Sequence, residues 1–280
     1  TRTIGVAVTT FPAAGAWSYT DIAYFGRAVT AATSAAHARG YALITLPADR
    51  AGDDSWHRLA VDGMLIMDSP RGDPMVRALR ARGVPLVFDG APGDPRPGDR
   101  WVDNDHEAAT HGVLDHLAAS GARRVALQAG NGGEHYARAV TAAYTRWCER
   151  RGAEPLIVPF GVADDAGHAF DALLSGADRA DAVFAAYDPG GRQLLAAAGR
   201  HGLRVPHDLR IACVSEDPGY AHTNPPVTTL SLNPEQTART AVALLLDLVE
   251  EQEGAETAKA PATVPTALRV RASSDARVMY

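Results

Sequence analysis

Carboxylates placed at the ends of apolar runs are the residues of this chain best suited to chemistry. Ile211-Ala-Cys-Val-Ser215 leads directly into Glu216 and Asp217, and a polar loop then runs through Pro225-Pro226 to a second apolar segment. Asp68, Asp89 and Asp188 also end or follow apolar runs. In an open α/β sheet, ligands bind just beyond the carboxyl ends of the strands. All of these acids would gather at such edges. Capping explains any one of them, because a carboxylate accepts hydrogen bonds from the orphan amides of a helix's first turn. As a set they fit the lining of a binding site. Aromatic residues stand near the same edges: Trp17, Tyr19, Tyr24, Phe25 and Tyr187, with Phe25 fitting a core position equally well. Stacking faces beside carboxylates suit ring-shaped or polyhydroxylated ligands. The chemistry to expect is recognition of a small molecule, not turnover.

Other chemistries find less support. A nucleophile elbow needs Gly-x-Ser-x-Gly, and the chain has none. It also lacks the phosphate-cradling Gly-x-x-x-x-Gly-Lys-Ser/Thr, and its one lysine, Lys259, falls in a tail linker. The first loop carries Pro12 and Gly15 in place of a dinucleotide fingerprint. Asn131-Gly132-Gly133 reads as a flexible turn, with an anion cradle as the alternative. His106, His111 and His116 recur every fifth residue, so successive rings point about 140° apart on a helix and cannot converge on a metal. They read as solvated or capping histidines. No metal and no cofactor is expected.

Strands and helices that would position the acids alternate along the whole chain. Ile4–Val8, Tyr41–Leu46, Val61–Met67 and Val84–Phe88 read as strands. Helices read over about Asp21–Arg39, stopped by Gly40, and over Pro74–Arg82, stopped by Gly83. Gly90–Arg100, rich in Pro, Gly and Asp, reads as an irregular loop. A second, similar half starts near Val102. Its helices are Glu107–Ser120, His135–Arg151, Ala166–Leu174 and Gly191–His201; its strands are Arg124–Gln128, Leu156–Phe160, Ala182–Ala186 and Arg210–Val214. A long amphipathic helix over Pro234–Glu251, a charged linker over Glu250–Ala262 and an extended Ala267–Arg271 close the chain. This alternation predicts parallel sheets flanked by helices.

Length and composition fit one large or two moderate domains. The chain has 280 residues, 46% hydrophobic and 21% charged, which supports a real core. The formal net charge of −6 and the absence of a basic stripe make it a poor nucleic-acid binder by itself. Cys148 and Cys213 fall in a helical and a strand pattern, read as buried thiols, and fit a cytoplasmic location. No run reaches the ~20 apolar residues of a membrane span.

The ordered motifs resemble a known family. They are Thr3-Ile-Gly-Val-Ala-Val8, Val61-Asp-Gly-Met-Leu-Ile-Met67, Val84-Pro-Leu-Val-Phe-Asp89, Val102-Asp-Asn-Asp105 and the run Asp115–Ala126. Phe184-Ala-Ala-Tyr-Asp188, His201–Asp208, Pro225-Pro-Val-Thr-Thr-Leu230 and Leu268–Ser274 complete the set. Together they resemble the effector-binding core of lactose-repressor-type (LacI/GalR) bacterial transcription regulators, which share the periplasmic-binding-protein-like type I fold. The resemblance implies an α/β protein of two similar lobes, each a parallel sheet flanked by helices, joined by a three-crossing hinge. The first lobe would be residues 1–102 plus 233–254, and the second residues 103–232 plus 255–280. It further implies a small-molecule effector, a sugar or a related compound, lying between the lobes. It implies a homodimer, and contact with operator DNA only through an N-terminal helix-turn-helix absent from this chain. The chain would be no enzyme. The alternative on the same fold is an extracytoplasmic solute-binding protein of a transporter.

Effector-binding residues implied by the resemblance are Trp17, Tyr24, Phe25, Met67, Arg138, Tyr187, Asp188 and Glu216. The chain departs from the family where effectors are gripped. Val140 stands where the family often has arginine, with Arg138 two residues earlier, and Tyr187-Asp188 and Glu216-Asp217 replace the usual Asn-Asp and Asp-Asp. Loss of a bidentate guanidinium at Val140 argues against assuming the usual sugar.

Overall fold

A computed structural model describes residues 1–9, 22–46, 59–130, 134–160, 168–251 and 261–275. Trp17, the turn at Asn131–Gly133, the start of the helix expected at Ala166 and most of the charged linker lie outside the described residues.

The chain divides into two compact units. The first comprises Thr1–Asn104, Asn233–Pro265 and a short piece around His135; the second holds the remainder. The first unit's sheet contains β1 (Thr3–Val8), β2 (Ala42–Thr45), β3 (Gly63–Met67), β4 (Leu86–Asp89), β5 (Arg100–Asn104) and β11 (Ala262–Val264), in the order β11-β5-β4-β3-β1-β2. Every pair in it is parallel. β3 is buried along its whole length and β1 along nearly all of it, as expected for strands covered on both faces. One face carries α1 (Ala23–Ala38) and α7 (Pro234–Glu251), the other α2 (Pro74–Ala81).

Sheet order in the second unit repeats the first. β12 (Ala267–Arg269), β10 (Thr228–Ser231), β9 (Arg210–Val214), β8 (Ala182–Ala185), β6 (Val125–Ala129) and β7 (Ile157–Pro159) are neighbours in that sequence. The core order β7-β6-β8-β9-β10 has the same winding as β2-β1-β3-β4-β5. The helices are α3 (His106–Ala119), α4 (His135–Glu149), α5 (Asp171–Leu174) and α6 (Gly190–Arg200).

Three expectations need correction. Residues 100–104, divided between an irregular loop and the start of the second half, form β5, which pairs with β4 through Phe88↔Trp101 and Asp89↔Val102. The tail does not belong wholly to the second lobe: β11 pairs in parallel with β5 of the first unit. The second sheet is also not purely parallel, since β12 runs antiparallel to β10. All three depend on which strand offers a free edge, which local composition does not encode.

Some acids do cap helices, but not those at the strand ends of greatest interest. Asp73 caps α2, accepting from the amides of Met75 at 2.9 Å and Val76 at 3.3 Å, with Pro74 preset as the first helical residue. Asp105 caps α3 by accepting from Ala108 N–H at 2.9 Å. By contrast α6, which follows Asp188, has no side-chain cap.

The three histidines of α3 diverge as their spacing requires, but they are bonded and not simply solvated. His111 Nε2 lies 3.0 Å from the Ala143 carbonyl and His116 Nε2 lies 2.8 Å from Ser274 Oγ. Cys148 and Cys213 are both free and buried. Among the described residues, no cluster of His, Cys, Asp or Glu is arranged to hold a metal ion. None of their helices is long and apolar enough to cross a membrane.

Candidate functional site

At the carboxyl edge of the first sheet, three neighbouring strands each deliver an aspartate. Asp68 directly follows β3, Asp89 ends β4 and Asp103 lies near the end of β5. Register places them side by side: Met67 pairs with Asp89, and Asp68 N–H donates to the Asp89 carbonyl at 3.1 Å. Thr9, just past β1, donates its hydroxyl to the carbonyls of Met67 (3.3 Å) and Asp68 (3.1 Å), pinning the same corner. Asp68 takes a left-handed backbone with φ 53°, unusual for a residue other than glycine.

Tyr24, in the first turn of α1, donates its hydroxyl to Asp89 and lies 3.0 Å from each carboxylate oxygen. Asp103 accepts from Ala91 N–H (3.1 Å) and Asn104 N–H (2.8 Å), and His135 Nε2 stands 3.6 Å from it. Crowding of acids in a confined space has the anticipated electrostatic result. Burial, and then the charges of Asp89, Glu134 and Asp103, hold the Asp68 carboxyl well above the ordinary carboxylate range. Burial followed by the charges of Asp89 and Asp68 raises the Tyr24 phenol well above its usual 10.0.

In the second unit the edge is built differently. Tyr187 and Asp188 follow β8, and the Tyr187 ring stacks on Phe160, with centroids 4.4 Å apart and planes at 19°. Asp188 accepts from Ser215 Oγ at 2.7 Å and from the Glu216 amide. Burial raises its carboxyl, with Ser215 as the main opposing influence. Ser215 Oγ also accepts from Asp217 N–H at 2.9 Å. Asp217 caps the short 3-10 turn Pro218–His222 through Gly219 N–H at 2.7 Å and forms an ion pair with Arg192 Nη2 at 2.7 Å. Burial opposes ionisation of Asp217, but Gly219 and Arg192 outweigh it and its pKa is lowered. The Arg192 guanidinium lies 4.5 Å from the Tyr220 ring centroid, and the Tyr220 hydroxyl donates to the Asp188 carbonyl. Glycine makes this packing possible: a Cβ on Gly191 would lie 2.6 Å from Tyr220 Cε1 and 2.7 Å from Cys213 Sγ.

The expected site residues therefore separate. Tyr24 reaches the acid corner of the first unit, while Tyr187 and Asp188 stand together in the second. Phe25, 5% exposed, and Met67, 0% exposed, belong instead to the first unit's hydrophobic core, packed among Val8, Ile22 and Leu65. Helical spacing turns Phe25 toward the sheet, and strand alternation turns Met67 under it. Glu216 is 3% exposed; its carboxylate accepts from Ser231 Oγ (2.8 and 2.9 Å) and Leu232 N–H (2.7 Å) and so anchors the exit of β10. Of the Glu216-Asp217 pair, Asp217 is the more accessible. Arg138 is exposed on α4, and Val140 is 2% exposed in the core of the second unit. Sequence reasoning missed Phe160, Arg192 and Ser215, and it placed Asp217 at the edge but favoured Glu216 of the pair as the binding residue. Pro189-Gly190-Gly191 before Arg192 and Gly219 after Asp217 were the available signals, since small residues mark a close backbone approach.

Two similarly wound sheets with polar groups displayed at their carboxyl ends define a small-molecule-binding α/β receptor. A model of the periplasmic binding protein-like domain matches residues 114–274. The transcriptional regulator CelR of Thermobifida fusca is 32% identical over 200 residues, covering 68% of this chain and 57% of CelR. The HTH-type transcriptional repressor PurR of Erwinia tasmaniensis is 26% identical over 298 residues, covering 98% of this chain and 81% of PurR. The structure of a CelR–cellobiose complex superposes with a TM-score of 0.83 at 26% identity, over 98% of this chain and 84% of that one. The chain thus belongs to the periplasmic binding protein-like domain family, in the form of the effector-binding core of LacI/GalR-type regulators. It spans only about 57% of the length of CelR.

Proposed function

We propose that this chain is the sensing part of a cytoplasmic bacterial transcription regulator. It binds a neutral sugar or related small molecule at the carboxyl edges of its sheets, without turning it over. The candidate residues are Tyr24, Asp68 and Asp89 at the edge of the first unit's sheet, and Tyr187, Asp188, Arg192 and Asp217 at the edge of the second's. The whole protein acts as a homodimer and reads operator DNA through a helix-turn-helix outside this sequence. Binding shifts operator affinity only by the ligand's differential affinity for the two states of the protein. The observation that carries this reading is that neither Asp68 nor Asp188 caps the helix that follows its strand, α2 being capped by Asp73 and α6 by no side chain, in a chain related to CelR. The structure of CelR with cellobiose supports a sugar as the ligand class.

A thermal-shift screen of neutral sugars, followed by sedimentation, tests the proposal. Ligands well above their Kd should raise Tm in a concentration-dependent way, and the chain should sediment as a dimer. No shift with any sugar, or turnover of one that binds, would overturn it.

A further inference from the structure

The polar edge of the second unit contains a guanidinium, that of Arg192, to which the reading above gives no particular part in recognition. Arg192, the third residue of α6, is 49% exposed, and Asp217 is 31% exposed. Nη2 of Arg192 is bound to Asp217, and its backbone N–H donates to the Tyr220 hydroxyl at 3.3 Å. Among the described residues Asp217 is the one acceptor of its side chain. A guanidinium has five N–H donors in a fixed fork, and a side chain 49% exposed with only Nη2 engaged among the described residues can present Nε and Nη1 to a ligand. Arg192 is held firmly while it offers them. Tyr220 lies beneath it, and a Cβ on Gly219 would come within 2.8 Å of Nη2, so a larger residue there would push the guanidinium aside. Asp188 and Asp217 flank it, both linked to Ser215.

The resulting edge is acceptor, donor, acceptor. A sugar hydroxyl is both donor and acceptor, so two adjacent hydroxyls can each accept from Arg192 while donating to Asp188 or Asp217. The two carboxylates offset the charge of Arg192, which leaves an anionic group nothing to gain here. Resting on the effector-binding reading above, we propose that Arg192 is the specificity-determining residue of the second unit. It reads a vicinal pair of hydroxyls on a neutral ligand.

The test uses isothermal titration with two matched pairs of probes, cellobiose with cellobionate and glucose with glucose 6-phosphate. The neutral member of a pair should bind the wild type more tightly than its charged counterpart. Arg192→Met should weaken the neutral probe roughly ten- to hundredfold, the size of one or two hydrogen bonds to a charged group, and Arg192→Lys should fall between. Gly219→Ala, which displaces the guanidinium without removing it, should also weaken binding. Arg204→Met, which removes an exposed guanidinium paired with Asp208, should bind as the wild type does. Circular dichroism and Tm of each variant without ligand separate misfolding from lost recognition. Equal binding by wild type and Arg192→Met overturns this proposal and leaves the sugar reading intact. Tighter binding of a charged probe also overturns it. If neither neutral probe binds the wild type, the sugar reading falls and this proposal falls with it.

Discussion

The two sheet edges share a winding but differ in how they handle charge. In the first unit, Asp68, Asp89 and Asp103 crowd together from adjacent strands, and a phenol from α1 joins them at Asp89. In the second, Asp188 and Asp217 are spaced by Ser215 and answered by Arg192. Ionisation is therefore opposed at Asp68 in the first edge, whereas the second opposes it at buried Asp188 and favours it at Asp217 beside Arg192. Duplicated topology fixes where polar groups emerge. Which groups emerge, and in what protonation state, depends on neighbours that differ between the two halves.

The largest expected effect tests whether the aromatics of the two units have different work. Phe25→Ala removes a core ring and should cost about 3–5 kcal/mol of stability, whereas Tyr187→Ala, stacked on Phe160 beside the second edge, should cost clearly less. Urea denaturation of both variants checks this, and equal losses would erase the distinction drawn between core and edge. Next in size is Glu216→Ala. It leaves the Leu232 amide and the Ser231 hydroxyl without their buried acceptor, and the loss should be about 1.5–3 kcal/mol. Near-wild-type stability would mean that Glu216 is not an anchor.

A pH comparison sharpens the contrast in charge. The folded pKa of Asp68 is raised, so its contribution favours folding at low pH and is lost as pH rises through the folded value. Asp68→Asn should thus become progressively more stable than the wild type as pH climbs above about 4, the ordinary carboxylate range, in thermal melts without ligand. The folded pKa of Asp217 is lowered, so its contribution is present above the ordinary value and lost as pH falls. Asp217→Asn should be the less stable protein near neutrality and converge with the wild type in acid. Its effect is the smallest of these, under about 1 kcal/mol, because the Arg192–Asp217 pair is largely solvent-screened. Parallel pH trends for the two variants would break the comparison.

Much of the fold was legible because both of its signals are local. Continuous apolar runs such as Met64–Met67 mark strands buried on two faces, and Gly40, Gly83 and Gly152, all at positive φ, mark helix stops. β5 and β11 were hidden for the opposite reason. Arg100-Trp-Val-Asp-Asn104 is polar and only partly buried, and a three-residue strand such as Ala262–Val264 is defined by its partner and not by its own residues. At the candidate site, Tyr24, Tyr187 and Asp188 were legible from their positions beside strand ends. Arg192 was not, because its seat consists of Tyr220, Asp217 and Gly219, more than twenty residues away in the chain.

From the order of residues alone follow the alternating α/β architecture, the likeness to LacI/GalR effector cores and the gathering of acids where strands end. Hydrophobic period and strand-to-helix alternation are written residue by residue along the chain, which is why they can be read without coordinates. Only the folded chain decides that Glu216 turns inward to Ser231 while Asp217 turns to Arg192, that Phe25 and Met67 serve the core, and that the acids of the first edge oppose one another's ionisation. Those outcomes depend on distances of a few ångströms between segments far apart in sequence, and burial and charge act through such distances.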